Sequence, residues 1–149
     1  MNSSIIREAR ESDLPMIEKL MAELVDSVAD DEGFDMGIVS GNFRTLLNDD
    51  NSYILVAEAD DSVIGVITLA IRRTLLHSGT SGLIEELVVS ERHRGKGVGR
   101  QLIGAAIEKC EKMGCCKIEV STETTNVDAR EFYKSCGFEE IGILFEKGI

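Results

Sequence analysis

The chain has 149 residues, 43% of them apolar and 29% charged, with 16 Lys and Arg against 27 Asp and Glu for a formal net charge of −11. That composition fits a single globular domain over residues 1–149 with a core of its own, and the acidic balance argues against nucleic acid or an anionic membrane as a partner. The opening MNSSIIREARESD lacks the apolar centre of a signal peptide, and the longest apolar run, residues 63–71, is interrupted at Gly65 and Thr68 and too short to span a bilayer, so a cytoplasmic location is expected.

Residues 4–9 read as a short strand. Ser12 then offers an N-cap, Pro15 suits a first helical turn, and Ile17, Leu20, Met21, Leu24, Val25 and Val28 recur at helical spacing. A second helix is expected to include residues 38–47. Residues 53–58 and 63–72 are β-rich and joined by Ala59-Asp60-Asp61-Ser62, which predicts a hairpin. Ser and Gly within residues 75–82 predict a loop, and residues 83–89 the next strand. Val98, Leu102, Ile103, Ala106, Ile107 and Cys110 form an apolar helical stripe that Gly114 closes. Residues 117–120 read as a strand, 128–135 as a helix stopped by Gly137, and 138–147 as a terminal strand or tight hairpin. Antiparallel hairpins before a strand–helix–strand crossover imply an α+β (mixed α/β) fold. Its centre would be a mixed, mostly antiparallel sheet flanked by helices on both faces.

The segment RHRGKGVGRQ, residues 92–101, stands apart from the acidic remainder. It holds Arg92, Arg94, Lys96 and Arg100, no acid, and glycines at 95, 97 and 99, between a strand and a helix starting near Gly97. The first N–H groups of a helix lack intrahelical partners and carry the positive end of its dipole. Glycines let such backbone approach a phosphate, and the basic side chains add charged donors, so an anion site is predicted here. GxxxxGK[ST] is absent, and Gly95-x-Gly97-x-Gly99 misses GxGxxG; a P-loop enzyme and a dinucleotide-dependent oxidoreductase are both disfavoured. Cys110, Cys115, Cys116 and Cys136 lack CxxC spacing, and the histidines, His77 and His93, lie elsewhere; no metal site is expected and the thiols read as reduced.

Arg94-x-x-Gly97-x-Gly99 resembles the acyl-CoA pyrophosphate signature of the GNAT N-acetyltransferases. ELVVSERHRGKGVGRQL is similar to that family's strand–loop–helix core and NVDAREFYKSCGF to its second signature, so the resemblance runs from Gly82 to the C-terminus. It implies acetyl-CoA as cosubstrate, with neither a metal nor a covalent enzyme intermediate. It further implies that the backbone of Leu87, Val88 and Val89 pairs with the pantetheine arm, with an amide near Val88 polarising the thioester carbonyl. Arg94, Gly95, Lys96, Gly97, Val98, Gly99 and Arg100 would hold the pyrophosphate. Asn126 would bind the pantetheine amides or organise its turn.

Transfer to an amine needs a base or a desolvating site, because a free amine of pKa about 10 is charged at neutral pH. Glu85 and Glu86 are adjacent on the predicted strand and expected on opposite faces. The strand resembles that of the polyamine N-acetyltransferases, which implies that Glu85 assists deprotonation, with Glu86 as the alternative. Tyr133 matches the family tyrosine beside the thioester sulfur and would protonate the leaving thiolate. The expected function is acetyl transfer to a primary amine of a small molecule or protein; a non-catalytic acyl-CoA sensor of the same fold is the alternative. The apolar tail at Ile141, Ile143, Leu144 and Phe145 predicts a homodimer that buries it. Asp30, Asp31, Glu32 and Asp35 are expected to concentrate cationic acceptors.

Overall fold

The computed structural model describes residues 4–27 and 34–149; Asp30, Asp31 and Glu32 of the expected steering loop, and Val28 of the first apolar stripe, lie outside them. The chain divides into two compact units, Met1–Glu119 and Val120–Ile149. No helix of the described residues is long and apolar enough to cross a membrane.

The first unit is built on a sheet. β1 (Ile5–Glu8), β2 (Ser52–Ala59), β3 (Ser62–Arg72) and β4 (Thr80–Val89) pair in that order, each antiparallel to the next. β5 (Cys115–Val120) follows at the far edge, reached through α3 (Val98–Lys112), the kind of helical crossover a parallel neighbour requires. The β2–β3 turn closes because Asp60 and Asp61 both take positive φ, 52° and 59°. A two-residue hairpin that matches strand twist needs that conformation, and aspartate tolerates it better than most residues.

Side chains alternate across a strand, so each face of the sheet acquires its own helices. On one face Ile54, Val56, Val66 and Val88 pack with Leu14, Ile17 and Leu20 of α1 (Leu14–Asp26) and Phe43 of α2 (Met36–Leu47). On the other, Leu102, Ile103 and Ala106 of α3 are at most 2% exposed, against the strip that holds Gly65, Ile67 and Leu69. The mixed sheet with helices on both faces is the architecture that the element order implied. The second helix also has its own cap: Asp35 Oδ1 accepts from the Gly37 N–H at 2.8 Å.

Three local expectations change. Ser12 does not cap α1. A 3-10 turn, Glu11–Asp13, precedes the helix, and Asp13 accepts from the Arg10 N–H at 2.7 Å and from both terminal nitrogens of Arg7 at 2.8 and 2.9 Å. An ionised acceptor held by a guanidinium fork outcompetes a hydroxyl for that place. The β3–β4 loop is shorter than its composition suggested, since β4 starts at Thr80. Gly82 sits inside the strand for a packing reason: a Cβ there would collide with Cys110 Sγ and stand 3.2 Å from Leu69 Cδ1. Residues 138–149, lastly, form no strand, and Ile141, Ile143, Leu144 and Phe145 are 72–90% exposed. Apolar sequence favours a strand only where a neighbour supplies the ladder.

In the second unit α4 (Val127–Ser135) begins at Asn126, whose Oδ1 accepts from the Ala129 N–H at 3.1 Å, and ends before Gly137 at φ 96°. Arg130 ties the helix to the chain before and after it, donating to Thr124 O at 2.9 Å and to Glu140 Oε1 at 2.8 Å.

Candidate active site

Ile67 and Leu69 of β3 stand opposite Leu87 and Ile84 of β4, so Thr68 alone faces two residues, Glu85 and Glu86. The extra residue is a β-bulge, and it breaks the alternation expected of adjacent acids. Ile84 and Leu87 line up with the α3-facing residues of β3; the two acids between them belong to the other face, that of Val66 and Val88. The opposite-face expectation fails for this reason.

Glu86 is held closely. Its Oε1 accepts from the Thr68 hydroxyl at 3.0 Å, while its own N–H donates to Thr68 Oγ1 at 2.9 Å. Burial pushes its carboxyl above the usual range, the Thr68 hydroxyl opposes that, and the Glu85 charge adds to the rise. Glu85 itself is exposed. Among the described residues Glu86 forms no ion pair, so it is a half-buried carboxyl with raised affinity for a proton. The reading from sequence missed Thr68. Its signal was a lone hydroxyl in the apolar run 63–71.

Beyond the acids, Leu87, Val88 and Val89 keep their ladder to β3 through Ile67, Val66 and Gly65. On the opposite edge Gly79 lies by Cys116 and Gly82 by Ile118, so the six residues of β5 flank only the first half of β4. Past the strand, the Ser90 N–H bonds Ile64 O at 2.8 Å and a 3-10 turn, Glu91–His93, leads to Arg94. The Arg94 Nε donates back to Val89 O at 3.0 Å, fixing the loop to the strand end.

Gly95 and Gly97 take φ of 74° and 85°, and apart from their neighbours along the chain no atom of the described residues lies within 4 Å of where a Cβ of either would stand. Both positions need glycine for their backbone, and both face open space. Gly97 is the N-cap of α3 and supplies no capping side chain, which leaves the N–H groups of Val98 and Gly99 in the first turn able to meet a ligand. The Val98 side chain turns inward, 3.3 Å from the Cβ position of Gly65, and anchors that turn. With Lys96 exposed beside them, these open amides and cations fit a phosphate group.

In the second unit Asn126 is spent on the α4 cap through Oδ1. Tyr133 is half-buried, edge-to-face with Phe132 at 5.4 Å and Phe138 at 5.9 Å. Burial raises its phenol above the usual value, and Cys136 adds to the rise. A phenol so placed stays protonated through the neutral range and can donate.

The pattern of the acetyltransferase (GNAT) family matches residues 15–138. The aminoalkylphosphonate N-acetyltransferase of Salmonella typhimurium is 31% identical, with 97% of this chain and 90% of that protein aligned. The glucosamine 6-phosphate N-acetyltransferase of Arabidopsis thaliana is 27% identical over 88% of this chain and 85% of its own. Among solved structures, a transcriptional regulator from Bacillus halodurans superposes with a TM-score of 0.87 at 26% identity, covering 98% of this chain and 99% of that one. Matched by the family pattern over most of its length, and aligned over nearly all of it with such a relative, the chain belongs to the GNAT family of N-acetyltransferases.

Proposed function

We propose that the chain transfers the acetyl group of acetyl-CoA directly to the primary amine of a small molecule. The observation that carries this reading is on β4: a half-buried acid at the bulge stands one short stretch of free-edged strand from a loop of open amides. The acceptors named for the two relatives, an aminoalkylphosphonate and glucosamine 6-phosphate, support a small-molecule acceptor over a protein.

Acetyl-CoA supplies the activated acetyl group. The amides of residues 94–100, with Arg94, Lys96 and Arg100, take up the phosphate charge. The backbone of Leu87, Val88 and Val89 offers strand-like hydrogen bonds to the pantetheine arm, and Asn126 organises the start of α4 with the amide nitrogen of its side chain still available. Glu86 accepts the proton of the bound ammonium, and Glu85 beside it adds negative charge that draws the ammonium in. The Tyr133 phenol gives its proton to the departing sulfur and recovers one from solvent. A general acid and a general base are thus both present without a covalent intermediate.

Residues 1–149 act as one domain on this reading. The four free thiols, Cys110, Cys115, Cys116 and Cys136, suit a reducing cytoplasm, and the exposed tail suits burial in a homodimer, which light scattering at micromolar concentration checks. The decisive assay follows thiol release from acetyl-CoA over a panel of primary amines. Turnover is expected with at least one small amine, and Tyr133→Phe should lower kcat by roughly 10- to 1,000-fold with little change in the KM for acetyl-CoA. CoA binding without thiol release from any amine would favour the sensor alternative.

A further inference from the structure

The parts of the site stand in line along β4. The open amides lie past its end, Leu87, Val88 and Val89 come next, and Glu86 with Thr68 follows. If the amine nitrogen stops at Glu86, as the proposed transfer requires, the rest of the acceptor continues toward the start of β4. The sheet face there is not apolar. Arg72 of β3 reaches across β4 to Glu119 of β5, Nη2 to Oε1 at 2.9 Å, and Lys117 Nζ stands 3.8 Å from the same oxygen. The residue of β4 level with Arg72 is Ser81. Ser81 is 1% exposed, and its Oγ has no hydrogen-bond partner among the described residues. Its neighbour Gly82 faces α3 through Cys110, so Ser81 faces the other way, as Glu86 does.

Two features of this cluster ask for a common cause. Two cations converge on one carboxylate, a local positive excess in a protein of net charge −11. Beneath them a hydroxyl is buried with no partner among the described residues, which folding alone does not reward. We propose that this cluster is an acceptor subsite that reads an anionic group, a phosphonate, phosphate or carboxylate, carried by the same small molecule as the amine. Glu119 holds the Arg72 guanidinium over β4 until the anion takes its place. Arg72 then presents its planar fork, Lys117 a point charge, and Ser81 a hydroxyl donor as the ion pair above it opens. Thr68, level with the acids, and Arg72 are four residues apart on β3, roughly 13 Å at about 3.3 Å per residue. An Arg72 side chain released from Glu119 can reach back along that interval toward a bifunctional molecule, whereas the second cation of a polyamine would meet Arg72 and Lys117.

The test uses matched pairs in the thiol-release assay: glucosamine 6-phosphate against glucosamine, and 2-aminoethylphosphonate against ethylamine. The anionic member of at least one pair should show a kcat/KM roughly 10- to 100-fold above its partner, the contribution of one charged hydrogen-bonded pair. Arg72→Ala should erase that advantage through KM, with the uncharged-tail partner and the KM for acetyl-CoA within about 2-fold of wild type, and Arg72→Lys should restore part of it. Glu119→Gln should act in the opposite direction and lower the KM for the anionic amine, because Arg72 loses its competing carboxylate. Anionic members no better than their partners, or both members weakened alike by Arg72→Ala, would overturn the subsite while leaving acetyl transfer intact. No thiol release with any amine of the panel would overturn the transfer itself, and this inference with it.

Discussion

At the corner where β1 meets α1, the carboxylate of Asp13, 7% exposed, receives both terminal nitrogens of Arg7. At the β4 bulge, the carboxyl of Glu86 receives one threonine hydroxyl and has another acid beside it. Both groups are drawn out of water, yet their proton affinities move in opposite directions. The Arg7 guanidinium holds Asp13 below the usual carboxylate range, with burial opposing and the Arg10 N–H assisting. Burial lifts Glu86 above that range, only partly offset by Thr68. A buried carboxylate given a cation serves the fold; one denied a cation is poised to exchange protons. Their linkage to pH is opposite as well. Asp13 contributes stability that is present above the ordinary carboxylate pKa and lost as pH falls through its depressed value. Glu86 contributes stability that is present below the ordinary value and lost as pH rises through its raised one.

Removing Asp13 should have the largest effect on folding. Asp13→Ala removes the two-point partner of the Arg7 fork, and denaturant titration at pH 7 should show a loss of about 3 kcal/mol, the lower end for a broken buried pair because Arg7 keeps Glu58 at 2.6 Å. The remaining folded enzyme should turn over normally; a large fall in its kcat would break the contrast.

Glu86→Gln should do the reverse. It is expected to lower kcat by roughly 10- to 1,000-fold and to remove the acidic limb of the kcat–pH profile, while Tm at neutral pH is unchanged or raised. Glu85→Gln, at an exposed position, should cost less. If Glu85→Gln proves the more damaging, the proton passes to the outer acid and Glu86 becomes its support.

Thr68→Val offers the finest adjustment. Without the hydroxyl that lowers the Glu86 pKa, the acidic limb should move to higher pH, with the plateau rate almost retained and a stability change of about 1 kcal/mol. An unmoved limb would mean that another group sets it.

What could be read in the sequence was local in origin. The apolar stripe of α3 and the alternation of β2 and β3 follow from the periods of helix and strand, and the Asp60-Asp61 turn from the backbone those residues tolerate. The backbone of the glycine segment was legible because positive φ and an uncapped helix start are properties of a few consecutive residues. Register, however, is a relation between strands. No single strand shows that Thr68 will face two acids, that Arg72 will cross β4 to Glu119, or that Ser81 will lie beneath that pair with no partner among the described residues. The turn that precedes the first helix depended likewise on Arg7 arriving from β1 to hold Asp13. The tail at residues 138–147 had the composition of a strand but no recorded ladder, since a strand exists only with a neighbour. The sequence by itself determined most of the elements, their order and the glycine turn before α3, because each is written in neighbouring residues. Tertiary structure decided which acid is buried, what holds it and what lies beyond it, because burial and pairing are set by residues distant in the chain.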